Sequence, residues 1–167
     1  EELQKAKHYI FMEYFIIKQG EMWDSVKQLL ADKAKEGVDV RLIYDDVGCA
    51  MWLPSRFINE MEELGIKVAP FNPIVPLLNL RQNNRDHRKI TIIDGHTGFT
   101  GGINLADEYI NKVSPFGHWK DTGIMLKGDA VWNLTLMFLQ TWRMLKKEED
   151  NYSLYIPMKH KNTPFLS

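Results

Sequence analysis

With 167 residues, 44% hydrophobic and 26% charged, the chain has the composition of one ordinary globular domain, which excludes a fibrous or disordered protein. Its 21 basic and 22 acidic residues leave a net charge of -1, which gives no electrostatic ground for a polyanionic partner. The single cysteine, Cys49, excludes an internal disulfide and a cysteine-based zinc site, and no apolar run approaches the ~20 residues that span a bilayer.

In chain order, Glu1 to Lys7 reads as the end of a short charged helix, and Tyr9 to Ile17, rich in aromatic and β-branched residues, as a buried strand. Gly20 breaks that run. Glu21 to Glu36 carries an apolar stripe at Met22, Val26, Leu29, Leu30 and Ala34, followed by Gly37, and predicts a helix. Val38 to Tyr44 is a second strand, Asp45 to Gly48 a loop, Pro54 to Leu64 a helix ended by Gly65, and Ile66 to Ala69 a third strand. Three prolines in Pro70 to Pro76 predict a loop, and the apolar stretch Phe71 to Leu80 that contains it suits either a lipid-entry border or a simple structured loop. Ile90 to Ile93 and Gly98 to Thr100 form a hairpin about Asp94-Gly95, and Trp119 to Leu126 is a further strand. Asp129 to Leu145 is a helix with Val131, Leu134, Phe138 and Trp142 on one side. The βαβαβ alternation predicts an α/β fold with a mixed, largely parallel sheet and helices on both faces. Residues 1–147 are expected to be the domain, and residues 148–167 a tail or linker toward a second half.

The residues that carry chemistry are His87, Lys89 and Asp94, spaced H-x-K-x4-D. On an extended segment, side chains two apart share a face, so His87 and Lys89 point together while Ile90 and Ile92 point into the core. An imidazole beside an ammonium suits a phosphate: the neutral ring attacks phosphorus, and the lysine neutralises the equatorial oxygens. Asp94 reaches that site only if the chain bends at Asp94-Gly95. On spacing alone, a solvated surface pair and a turn aspartate are the better fit, and the neighbouring residues shift that balance. Gly101-Gly102 then lets backbone approach a ligand, and Asn104 offers either an amide to a phosphoryl oxygen or a helix cap, with Asp107 three residues on. Glu13, an acid inside an apolar strand, is expected to be functional or paired, since a lone buried carboxylate is costly.

The run Arg85 to Gly95, followed by Phe99 to Asn104 and Asp107-Glu108-Tyr109, resembles the phospholipase D superfamily and within it the bacterial cardiolipin synthases. His8 to Phe15, Tyr44 to Gly48 and Phe116 to Asp121 extend the resemblance over about residues 1–146. The resemblance implies a phosphohistidine intermediate, with His87 as nucleophile or general acid and base and no cofactor or metal. It further implies Lys89, Asn104, Gly101 and Gly102 at the phosphate, Asp94 behind the motif, and Asp121, 34 positions after His87, orienting the imidazole. The implied substrate is phosphatidylglycerol at a membrane surface, in a parent protein of the bacterial cell membrane. A homodimeric phosphodiesterase is the alternative; near-zero net charge argues against nucleic acid.

One departure is large. The family's site uses two such motifs. Here His118-Trp119-Lys120 echoes the motif, but Met125 stands where the aspartate belongs, and His8, His96 and His160 lack a lysine two residues on. A second half is therefore expected further along a longer parent, or on a dimer mate, and the isolated chain is expected to be inactive. The absence of an initiator methionine fits an excised segment.

Overall fold

The computed structural model describes residues 1–73, 85–115, 117–147, 149 and 151–156. Six strands form one sheet: β1 (Tyr9–Tyr14), β2 (Asp39–Asp45), β3 (Lys67–Phe71), β4 (Ile90–Ile93), β5 (Thr97–Gly101) and β6 (Gly123–Lys127). The strand order is β3-β2-β1-β4-β5-β6. β1, β2 and β3 are mutually parallel, joined by helical crossovers, whereas β4, β5 and β6 form an antiparallel meander attached to β1. β1, β2, β3 and β5 thus run one way and β4 and β6 the other, the mixed α/β architecture expected.

Helices α1 (Glu21–Lys35), α2 (Asp46–Cys49) and α3 (Phe57–Glu63) cover one face, and α4 (Val131–Lys146) covers the other. Alternation along the strands decides which residue meets which layer. Ile10, Met12 and Leu42 pack with Trp23, Leu30 and Met61. Tyr9, Phe11, Ile43, Ile90 and Ile92 pack with Phe138, Leu139 and Trp142. β1 and β2 are buried on both faces, and their apolar runs Tyr9–Met12 and Leu42–Tyr44 fit that position. Among the described residues no helix is long and apolar enough to cross a membrane.

Several boundaries differ from expectation, each for a local reason. β1 ends at Tyr14 because the Ile16 N–H donates to Asn104 Oδ1 and the Ile17 N–H to Cys49 Sγ, not to a strand. Asp45 to Gly48 is no open loop: Asp45 Oδ1 accepts the Gly48 N–H at 2.8 Å and caps the single turn α2. Pro70 lies inside β3, which as an edge strand tolerates the missing N–H; residues 74–84, including most of the proposed lipid border, lie outside the described residues. The strand expected from Trp119 starts only at Gly123, because the Asn111 amide binds both the N–H and the carbonyl of Trp119. Glu1 to Lys7 contains only a 3-10 turn, Leu3–Lys5. The packed body also passes the boundary drawn at 147, since Tyr155 is buried and its carbonyl accepts the Tyr9 hydroxyl at 2.9 Å.

Phe138 is fully buried, with its ring stacked 4.7 Å from Phe11. Phe138→Ala is expected to cost about 3–5 kcal/mol, read as a lower urea midpoint with an unchanged m-value; a loss under 1 kcal/mol would show that α4 contributes little to the core.

Candidate active site

Residues 85–89 run extended into β4, and alternation divides them. Arg88 turns toward α4, where Nη2 donates to Thr141 Oγ1 at 3.2 Å, and it grips Asp86 through Nε and Nη2 at 2.9 and 3.0 Å. His87 and Lys89 take the other side. They stand together: Lys89 Nζ lies 3.0 Å from His87 Nδ1 and donates to the His87 carbonyl at 2.7 Å. The Phe15 ring supports both, 4.7 Å from the imidazole and 5.3 Å from the ammonium. His87 is exposed while Lys89 is only 4% exposed. Burial lowers the pKa of Lys89 below the usual lysine value, opposed by the nearby charges of Asp86 and Asp121.

An ammonium has protons only to give, so His87 Nδ1 accepts in this contact and a neutral ring then carries its proton on Nε2. Such an Nε2–H can donate a hydrogen bond to an oxygen, whereas proton transfer to a leaving oxygen needs the ring as imidazolium. For nucleophilic attack, Nδ1 must regain its proton and an acceptor must replace the lysine there.

Beyond Lys89 two glycines pair across β5 and β6, and a Cβ at Gly101 would meet the Thr122 carbonyl at 2.6 Å. Gly101 pairs with Gly123 one step beyond the Ile90–Thr100 pair. Beside them is a cleft of about 610 Å³ lined by Lys89, Tyr14, Thr91, Phe99, Gly101 and Met125. Gly102 has a steric reason of its own: a Cβ there would meet the Asp121 carboxylate at 2.3 Å. Asn104, 3% exposed, is not the helix cap considered above; the following 3-10 turn starts at Asp107 after Ala106. Its Oδ1 accepts from Ile16 N–H at 3.0 Å and its Nδ2 donates to the Tyr109 hydroxyl at 2.7 Å, so the orientation of the amide is fixed. Asp107 instead caps α1, accepting the Glu21 and Met22 N–H groups at 3.1 and 2.8 Å.

Two expected contacts do not form. Asp121 is not on His87 Nδ1. It is not on a strand, and its carboxylate accepts from its neighbours, Trp119 Nε1 at 3.2 Å and the Thr122 N–H at 2.7 Å. Asp94 touches neither His87 nor Lys89, because it lies at the far end of β4, five residues or about 16 Å of strand from Lys89. The turn does bend, with Asp94 at φ 51° and Gly95 at φ 63°, but toward β1. There the Asp94 carboxylate accepts the N–H groups of Lys7, His8 and Tyr9 at 2.9, 2.8 and 2.9 Å, pinning β4 to the start of β1. Among the described residues, no group of three His, Cys, Asp or Glu is placed to hold a metal ion.

Glu13 is 1% exposed. Arg88 Nη2 stands 2.7 Å from Glu13 Oε1, yet among the described residues neither Glu13 oxygen has a well-aligned hydrogen bond. Burial first, and then Asp86, push the Glu13 carboxyl up to about 9, which leaves it protonated at neutral pH. Asp45, also buried, accepts the Asp86 N–H at 3.0 Å and Arg85 Nη1 at 3.3 Å. Sequence reasoning passed over Asp86, Arg88, Asp45 and Phe15. The signal for the first two was present, because period-2 alternation puts Asp86 and Arg88 on the face opposite His87.

Residues 1–114 match the family described as cardiolipin synthase, PLD-like domain. The chain belongs to that family. Cardiolipin synthase 2 of Bacillus anthracis is 47% identical over 141 residues, 84% of this chain and 27% of that protein. Cardiolipin synthase of Geobacillus kaustophilus is 44% identical over 149 residues, 88% of this chain and 29% of that protein. This cardiolipin synthase-like domain thus spans less than a third of the curated relatives it matches. Among solved structures, Nuc, a phospholipase D family member from Salmonella typhimurium, superposes with TM-score 0.59 at 20% identity, covering 87% of this chain and 82% of that one. NucT from Helicobacter pylori gives 0.61 at 14% identity, covering 84% and 82%. At these identities the likeness is one of fold.

If Asp94 anchors rather than reacts, Asp94→Ala will lower stability by about 2–3 kcal/mol, measured by urea denaturation. Asp94→Asn, which keeps one acceptor oxygen, will lose less. Equal stability of all three proteins would remove the anchoring role.

Proposed function

We propose that this domain supplies one half of an active site that transfers a phosphatidyl group between two phosphatidylglycerol molecules, through a phosphohistidine, to give cardiolipin and glycerol. The observation that carries the reading is the imidazole of His87 held 3.0 Å from the buried ammonium of Lys89, which itself lines a cleft bordered by Gly101 and Gly123. Two cation- or donor-bearing side chains beside a glycine-bordered cleft suit a tetrahedral phosphoryl group. Family membership supports the phospholipid substrate.

In the proposed cycle, one histidine's ring nitrogen bonds to phosphorus and the bond from phosphorus to the headgroup glycerol oxygen breaks. The second histidine, protonated, gives that oxygen its proton. It then takes the proton of a hydroxyl on the second phosphatidylglycerol, whose oxygen bonds to phosphorus as the P–N bond breaks. Lys89 offsets the charge on the non-bridging oxygens, with Asn104 and the Gly101-Gly102 backbone beside it. His87 takes one of the two histidine roles. The other histidine comes from a second phospholipase D-like half, either on the same longer protein or on a dimer mate, since this chain carries one complete motif. The site works at a bacterial membrane surface, with this segment peripheral to the bilayer, and it uses no metal or cofactor.

In the full-length protein, His87→Ala is expected to abolish conversion of phosphatidylglycerol vesicles to cardiolipin. Lys89→Ala is expected to reduce kcat by about 10²–10³. The 167-residue domain alone is expected to turn over neither those vesicles nor single-stranded DNA. Wild-type rates in His87→Ala would end the assignment, and cleavage of the DNA by the isolated domain would favour a homodimeric phosphodiesterase.

A further inference from the structure

We infer that the buried acids Glu13 and Asp86 act as a pair sharing one proton, clamped by Arg88, and that this pair is the positioning device that fixes His87. The inference rests on the transfer reading above and adds residues that do not touch the phosphoryl group.

The backbone around His87 explains the role. The N–H of Asp86, before the histidine, is held by Asp45 Oδ2 at 3.0 Å; the N–H of Arg88, after it, is held by Asp86 Oδ1 at 3.1 Å. Both peptide neighbours of His87 are therefore tied to buried carboxylates, and the direction of the imidazole follows from them. Asp86 is the hub. It receives the Arg88 fork and its backbone N–H, while its own N–H goes to Asp45.

Charge counting gives the proton. Glu13 and Asp86 are 1% and 5% exposed and, among the described residues, face one guanidinium, Arg88, which spends its well-aligned bonds on Asp86 and Thr141. Asp45 has its own partner in Arg85. Two ionised carboxylates beside one cation out of water are unfavourable, and retaining one proton removes the excess charge. Arg88 Nη2 lies 2.7 Å from Glu13 Oε1 and 3.0 Å from Asp86 Oδ2, so the two carboxyl groups meet at one nitrogen, and Glu13, which accepts no well-aligned bond, is the member that keeps the proton. The opposite directions at the two acids agree: burial and Asp86 raise Glu13, whereas hydrogen bonds from Glu13 and Arg88 overcome burial and hold Asp86 below the usual carboxylate range. Among the described residues, the titratable groups that face Glu13 are Asp86 and Arg88, with Asp45 and Arg85 adjoining Asp86 and Lys89 sensing its charge.

The test compares wild type, Glu13→Gln and Glu13→Ala in the full-length protein, with cardiolipin formation followed from pH 6 to 10. Gln keeps a neutral donor, so its kcat at pH 7 should stay within about threefold of wild type. Ala leaves Asp86 without that donor and lets the segment shift, lowering kcat about 10- to 100-fold with KM nearly unchanged. Above pH 9 the wild type should decline relative to Glu13→Gln as Glu13 ionises; lysine titration is common to both proteins and cancels in the ratio. An inactive Glu13→Gln, a fully active Glu13→Ala, or superimposable wild-type and Gln profiles would each overturn the pair. If Glu13→Ala does not fold, the wild-type and Gln profiles decide.

Stability gives an independent readout. The folded value of Glu13 lies above the model-compound value of 4.5, so the folded protein binds a proton that the unfolded chain has lost, and stability falls as pH rises from about 4.5 to about 9. Glu13→Gln should flatten that slope in urea melts between pH 5 and 8. Parallel slopes would overturn the shared proton even if the wild type transferred no phosphatidyl group, an outcome that would by itself overturn only the transfer reading.

Discussion

An extended chain shows its side chains alternately to two sides, and the candidate site depends on that constraint at residues 85–89. On one side, Asp86 and Arg88 are held among Glu13, Asp45 and Thr141 by six hydrogen bonds or ion contacts of 3.2 Å or less. On the other, His87 and Lys89 are displayed together against Phe15. A reactive imidazole on a surface segment would sample many directions if its backbone were free. Burying the alternate residues in a charged network removes that freedom at the cost of desolvating several ionic groups, a cost seen most often where geometry serves function.

The rest of the fold serves the same segment at longer range. β4 lies in the middle of the sheet, between β1 and β5, with Ile90 and Ile92 sunk against α4. Its far end is fastened to the start of β1 through the three N–H groups that Asp94 accepts. The near end opens on the glycine floor of β5 and β6 and on the Asn104 turn, which is itself bound to the chain after β1. The motif aspartate and the motif histidine thus stand at opposite ends of one short strand, the first holding it and the second in the proposed chemistry.

Much of this was legible from residue order. The β-branched and aromatic strands, the helix stripe closed by Gly37, and the hairpin at Asp94-Gly95 follow from periodicity and turn chemistry, and the structure has them. Strand ends were less legible, because side chains distant in sequence take the backbone partners there. Asn104 takes the Ile16 N–H, Cys49 the Ile17 N–H, and Asn111 the Trp119 backbone. The pairing of His87 with Lys89 was readable from spacing, and the burial of Glu13 from its apolar neighbours. Its partner was not readable, since Asp86 lies 73 positions away and meets it only because β1 and β4 are neighbours. Asp121 was placed by a count of residues, and that count did not foresee that Trp119 and Thr122 would occupy its carboxylate.

The central claim is that His87 and Lys89 face a phosphoryl group together, and it can be measured on this domain with inorganic phosphate as the probe. Long-range 15N NMR of the imidazole reports the tautomer and its nitrogen shifts during a phosphate titration. The account predicts a neutral His87 ring protonated on Nε2 without phosphate, a saturable Nε2 shift as phosphate is added, and loss of that shift in Lys89→Ala. A His87 resonance indifferent to phosphate, or one that responds equally without Lys89, would contradict it.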